Sequence, residues 1–69
     1  MNQPQSYIQK EILRLLQEHK ASYAHPMNSA ELSRQLNVTP SYIREKAKQL
    51  FSLGLLDVRR GPGGGYFIA

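Results

Sequence analysis

The chain has 69 residues, 41% of them hydrophobic, a net charge of +4 and no cysteine. That length allows one small domain, 1–69, with a compact core, since so short a chain buries only about 60% of the surface it exposes when unfolded. Disulfides, thiolate metal sites and a thiol nucleophile are excluded, no apolar run nears the roughly 20 residues of a membrane span, and the polar start of the chain lacks the apolar stretch of a signal peptide. The expected location is the cytoplasm.

Ile8, Ile12, Leu15 and Leu16 fall on one stripe of an amphipathic helix, predicted over 5–19 with Pro4 or Ser6 at its start. Gln9, Lys10, Gln17 and Glu18 take its opposite, solvated face. From Lys20 to Asn28 the period is lost and Pro26 intervenes, so this is a connection. Tyr23 and Met27 are expected in the core, with a short strand near Met27. Asn28 followed three residues later by Glu31 has the spacing of a reciprocal cap, and Leu32 and Leu36 then share a face, giving a second helix over 29–36. Asn37 suits a left-handed terminator, and Val38 pins the turn.

Thr39 caps a third helix, 40–53, with Pro40 at its first position, where a missing N–H does no harm. Ile43, Ala47 and Leu50 share its core face, flanked by Phe51, and Gly54 ends it. Leu55–Arg60 and Tyr66–Ile68 read as strands around the loop Gly61–Gly65, forming a hairpin over 55–69. Three helices followed by a β-hairpin is an α+β fold, the winged helix-turn-helix.

Charge is distributed unevenly over these elements. Residues 1–33 carry three cations and three acids, whereas 34–69 carry six cations against Glu45 and Asp57. A basic half beside a neutral half suits a polyanion, although an ordinary basic surface would also aid solubility. With Ile43, Ala47 and Leu50 inward, Ser41, Glu45, Lys48 and Ser52 face outward and Tyr42, Arg44 and Gln49 lie on the flanks. Such a helix suits a major groove: Arg can pair with a guanine edge, Ser and Tyr can donate to bases or phosphates, and Lys neutralises phosphate. A plain solvated face is the alternative.

The loop Arg59-Arg60-Gly61-Pro62-Gly63-Gly64-Gly65 holds more glycine than a hairpin turn needs. Glycines allow close backbone approach at a minor-groove floor, and arginines suit the negative potential of a narrow A·T-rich groove. A flexible tip with solubilising arginines is the competing reading. No Gly-Lys-Ser/Thr follows, so this is no nucleotide-phosphate loop. His19 and His25 are too isolated for a metal site. Glu11 and Glu18 do not form a catalytic pair, and no nucleophile–base set exists. Neither an enzyme nor a cofactor is indicated.

Ser29 through Thr39, Tyr42-Ile-Arg-Glu, Leu53-Gly-Leu-Leu, Arg60-Gly and Gly63-Gly64-Gly65 together resemble bacterial winged helix-turn-helix regulators. The gluconate-repressor family has a similar hydrophobic–Arg–Glu triplet and a glycine-rich wing. The iron–sulfur-cluster-regulator family has a similar Pro-Ser-Tyr helix start and a similar wing, here Pro40–Tyr42 and Arg60–Tyr66. The likeness covers about 27–69. It implies that Arg44 reads a base, that Tyr42 acts at the helix start, and that Gly61, Gly63 and Gly64 enter a minor groove. Both families normally continue into a sensor domain and a dimerisation helix, and cluster-ligand cysteines are absent here, so neither effector nor cluster sensing is implied.

The expected function is sequence-preferring binding of double-stranded DNA as a small transcriptional regulator, associated with the nucleoid. The expected contacts are Ser29 and Thr39 at the helix starts, then Ser41, Tyr42, Arg44 and Lys48. Arg59, Arg60, Gly61, Gly63 and Gly64 would provide the wing's share. A homodimer on DNA is expected, with Tyr7, Leu13 and Tyr23 as its suspected contacts. The alternative is a winged helix that docks a protein partner, as an adaptor or antirepressor.

Overall fold

The computed structural model describes residues 6–68: three helices, α1 (Tyr7–Glu18), α2 (Ser29–Leu36) and α3 (Pro40–Ser52), then strands β1 (Asp57–Arg59) and β2 (Gly65–Phe67). The strands pair antiparallel, with Val58 opposite Tyr66. This is the winged-helix order predicted above. Helix α1 begins after Ser6, and the start signal expected at Pro4 lies outside the described residues.

Each helix is closed by its own chain at both ends. Ser6 Oγ accepts from the Gln9 N–H (3.2 Å) while Gln9 Oε1 accepts from the Ser6 N–H (3.0 Å). Asn28 and Glu31 repeat that exchange at 2.8 and 3.0 Å, and Thr39 Oγ1 accepts from the Tyr42 N–H at 3.1 Å. Such caps satisfy N–H groups that a helix start leaves unpaired, each worth about 1 kcal/mol. At the other ends, Lys20 (φ 53°), Asn37 (φ 59°) and Gly54 (φ 76°) are left-handed. The next N–H then reaches back five residues: Ala21 to Leu16 (2.8 Å), Val38 to Ser33 (3.1 Å) and Leu55 to Leu50 (3.0 Å). Asn37 and Gly54 are residues suited to this role; Lys20 is not, and its sequence gave no warning.

Ile12 and Leu16 of α1, Leu32 of α2, and Ile43, Ala47 and Leu50 of α3 are wholly buried, with Leu15, Ala21, Met27, Leu56 and Phe67 completing the core. Gln9 departs from its expected place on the solvated face. It lies three residues before Ile12 and seven before Leu16, on the edge of the apolar stripe, and is buried. Its Nε2 donates to Gln49 Oε1 at 2.6 Å, tying α1 to α3. Burial of an amide is tolerable because that bond is made.

Tyr23 also departs from expectation: it is 63% exposed rather than in the core. Ser22 and His25 exchange backbone hydrogen bonds (3.1 and 3.2 Å), and the resulting tight turn carries Tyr23 outward. Met27 is buried as predicted and forms a β-bridge with Tyr66, its N–H and C=O bonding the Tyr66 backbone at 3.0 and 2.8 Å. The predicted strand 55–60 shortens to Asp57–Arg59, because the Leu55 N–H is taken by the terminus of α3. On α1, Arg14 lies between Glu11 and Glu18 at 2.7 Å from each. Its hydrogen bond holds the Glu11 carboxyl below the usual carboxylate range. These two acids are a surface ion-pair network.

Gly65 stands where a β-carbon would lie 2.5 Å from the Met27 carbonyl oxygen. Gly65→Ala must therefore push the wing off the Met27 bridge. Overpacking of this kind costs about 1–3 kcal/mol; a urea melt should show the loss, and an unchanged midpoint would refute the close approach.

Candidate nucleic-acid interface

The core face of α3 dictates what its other side presents. With Ile43, Ala47 and Leu50 buried, Ser41, Tyr42, Arg44, Lys48, Phe51 and Ser52 are all exposed. Arg44 does not extend freely. Its Nη2 donates to Ser41 Oγ at 3.1 Å and its Nη1 to Ser29 Oγ at 3.4 Å, so one guanidinium spans the starts of α2 and α3. The sequence-predicted Ser29, Ser41 and Arg44 thus come together. Thr39 does not join them through its hydroxyl, which is occupied as the α3 cap. The Tyr42 ring lies under Lys46, whose Nζ is 5.3 Å from the ring centroid.

In the wing, the Gly64 N–H donates to the Gly61 carbonyl at 3.0 Å, closing a four-residue turn. Pro62 and Gly63 are its central pair, and Gly63 has φ 73°. Proline then a left-handed glycine is the pattern of a type II turn. The glycine content is not in excess of what the backbone needs. A β-carbon on Gly64 would lie 2.1 Å from the Arg59 carbonyl oxygen, and Gly61 has φ 94°. The fold itself therefore accounts for the glycine run. The outer faces of Gly61 and Gly63 are open, with nothing within 4 Å of an added β-carbon.

The two wing arginines have different environments. Arg59 is half-buried: its Nη1 donates to the Tyr23 carbonyl at 3.0 Å, and its guanidinium lies 5.1 Å from the Tyr23 ring centroid. That ring meets Phe67 edge-on at 5.9 Å. Arg59 thereby clasps β1 to the α1–α2 connection. Arg60 is exposed and makes no side-chain hydrogen bond or ion pair among the described residues.

Between α3 and the wing runs a groove of about 510 Å³. Arg44, Lys48, Phe51 and Ser52 line it from α3, and Val58, Arg60 and Tyr66 from the wing. Burial raises the pKa of the Tyr66 hydroxyl, opposed in part by the charge of Arg44. Among the described residues, ion pairs are confined to Arg14 with Glu11 and Glu18, so none of the three groove cations is neutralised by a carboxylate.

Phe51, Ser52, Val58 and Tyr66 are the groove residues that were not among the contacts expected from the sequence. Strand alternation held the signal for Tyr66, because its neighbour Phe67 is the buried one. Phe51 looked like an extension of the core face and is in fact 45% exposed.

The chain belongs to the family described as "Winged helix-turn-helix transcription repressor, HrcA DNA-binding", whose model matches residues 5–68. Membership makes this a winged-helix fold of the DNA-binding, transcription-regulating kind and not an enzymatic one. The match bears out the broader resemblance to winged helix-turn-helix regulators; it does not extend to the two particular families that the motifs resemble. Among solved structures, the fold resembles that of CymR (YrzC), the global cysteine regulator of B. subtilis, with a TM-score of 0.68 and 20% identity. That match covers 99% of this chain and 53% of the other, so the chain spans about half the length of its structural relative. No curated protein matches the chain. Among the described residues no helix is long and apolar enough to cross a membrane, and no group of three His, Cys, Asp or Glu is placed to hold a metal ion.

The differing settings of the arginines give a prediction. Arg59→Ala should lower stability by about 1 kcal/mol or more, since it removes a cation–π contact and a charged hydrogen bond. Arg60→Ala should leave the urea midpoint within about 0.5 kcal/mol of the parent, as for ordinary surface changes. Equal effects of the two would refute the clasp.

Proposed function

We propose that this chain is a sequence-preferring reader of double-stranded DNA, with α3 in the major groove and the wing in the flanking minor groove. The observation that carries the proposal is the groove just described, where cations of α3 and of the wing face one another unpaired. A duplex strand separating a major from a minor groove passes between elements placed in this way. Arg44 and Lys48 meet base edges and phosphates, assisted by Ser41 and Tyr42. Ser29 and the start of α2 lie beside a phosphate.

Arg60 is the wing's minor-groove cation, and the open faces of Gly61 and Gly63 let its backbone approach. Gly64 serves the turn. Arg59 acts by holding the wing in place rather than through a DNA contact of its own. The likeness of Arg60–Tyr66 to the wing of iron–sulfur-cluster regulators supports this assignment. On DNA the protein works as a homodimer, since one small module rarely supplies enough specificity. Tyr7, 74% exposed, favours α1 as the contact; Leu13, which packs against the core, is a poorer candidate. We place the protein in the cytoplasm, on the nucleoid. A protein partner in place of DNA is the competing reading, and the same exposed Tyr7 is what favours it.

Fluorescence anisotropy with A·T-rich duplex, G·C-rich duplex and single-stranded DNA across a salt series tests the proposal. Binding to duplex should fall linearly in a log–log plot, with a slope reporting several phosphates. Absence of binding at low salt would refute it. On a selected site, Arg44→Ala should cost about 1–3 kcal/mol and relax preference at one base pair. A uniform loss over all sequences would remove the base-reading role. Arg60→Ala should reduce the preference for A·T flanks, and an unchanged preference would count against the wing assignment.

A further inference from the structure

The groove between α3 and the wing has two properties that DNA binding by itself does not require together. Its rim is cationic: Arg44, Lys48 and Arg60. Its walls carry exposed Phe51, half-buried Val58 and half-buried Tyr66. A seat for phosphates alone calls for polar donors, and an aromatic ring left in water beside three cations is a poor use of that surface. Leaving Phe51 45% exposed forgoes part of the stabilisation that full burial of such a side chain yields.

We propose that this groove binds a small planar aromatic anion, an aromatic carboxylate being the simplest case. The volume of about 510 Å³ falls within the roughly 300–1,000 Å³ of small-molecule sites. Phe51 and Tyr66 supply faces or edges for a ring, and Val58 lies opposite Tyr66 on the paired strand. Arg44, Lys48 and Arg60 surround the carboxylate without competition from a protein acid. Ser52 is not a donor of first choice, because its hydroxyl already donates to the Lys48 carbonyl at 3.1 Å. Charge complementarity selects an anion, and the apolar walls select an aromatic one. The occupant also meets Arg44 and Arg60, so on the DNA-binding reading above it competes with the duplex.

The test is a titration of the free, isotope-labelled chain with 2-naphthoate, followed by amide shifts in nuclear magnetic resonance spectra. Sodium acetate at equal ionic strength and 2-naphthalenemethanol are the controls. Saturable shifts should be concentrated at 44–52, 58–60 and 66, and the neutral alcohol should bind about tenfold more weakly or worse. Phe51→Ser and Arg60→Ala, both at exposed positions, should each weaken 2-naphthoate about tenfold with the rest of the spectrum unchanged. Shifts that never saturate, or that match those of acetate over the surface cations, would overturn the proposal, as would saturation at another place.

A second arm separates this site from the DNA reading. 2-Naphthoate should release bound duplex from the parent chain at concentrations that leave the Phe51→Ser complex intact. Saturable binding in the groove without release of duplex would uphold the small-molecule site and contradict the proposed path of the DNA strand.

Discussion

The position of the wing depends on the pairing of Met27 with Tyr66. Two backbone hydrogen bonds join residues 39 positions apart and turn a two-stranded hairpin, marginal alone, into an extension of the body. Gly65 is the condition for that approach, since any side chain there would meet the Met27 carbonyl. Arg59 reinforces the same junction through Tyr23, from the other strand. Once the wing is fixed, Arg60 and Tyr66 are fixed relative to α3, and a groove exists.

Within that groove, electrostatics and apolar surface act in the same place. The cations of the basic half are left unpaired on the side where α3 and the wing converge, while the acids of α1 are occupied by Arg14. Arg44 is held by hydroxyls rather than carboxylates. It is oriented without being neutralised, so its charge remains available to an anionic partner. The serines play the positioning role that an acid would perform only by cancelling the charge.

Much of this was legible in the sequence because the relevant physics is local. Caps at Asn28 and Thr39, terminators at Asn37 and Gly54, and the core face of α3 depend on residues within a few positions of one another, and the fold followed from them. What was not legible depends on long-range encounters. Gln9 is buried because Gln49 is there to receive its amide. Tyr23 is held outside by a turn whose two hydrogen bonds no periodicity reports. The glycine run invited a reading in terms of DNA, yet Gly64 and Gly65 answer to carbonyl groups of Arg59 and Met27 that only the folded chain brings near. Arg59 and Arg60 are chemically identical neighbours in sequence, separated in role because Arg59 ends β1 against Tyr23 while Arg60 lies past the strand and is exposed.

The clasp of Arg59 on Tyr23 has a thermodynamic consequence. A wing held at two points loses its conformational freedom when the protein folds, not when it meets a ligand. Association then proceeds without a large ordering penalty from that segment. Its heat-capacity change should reflect the apolar surface covered on contact, without the extra contribution of a segment that folds as it binds.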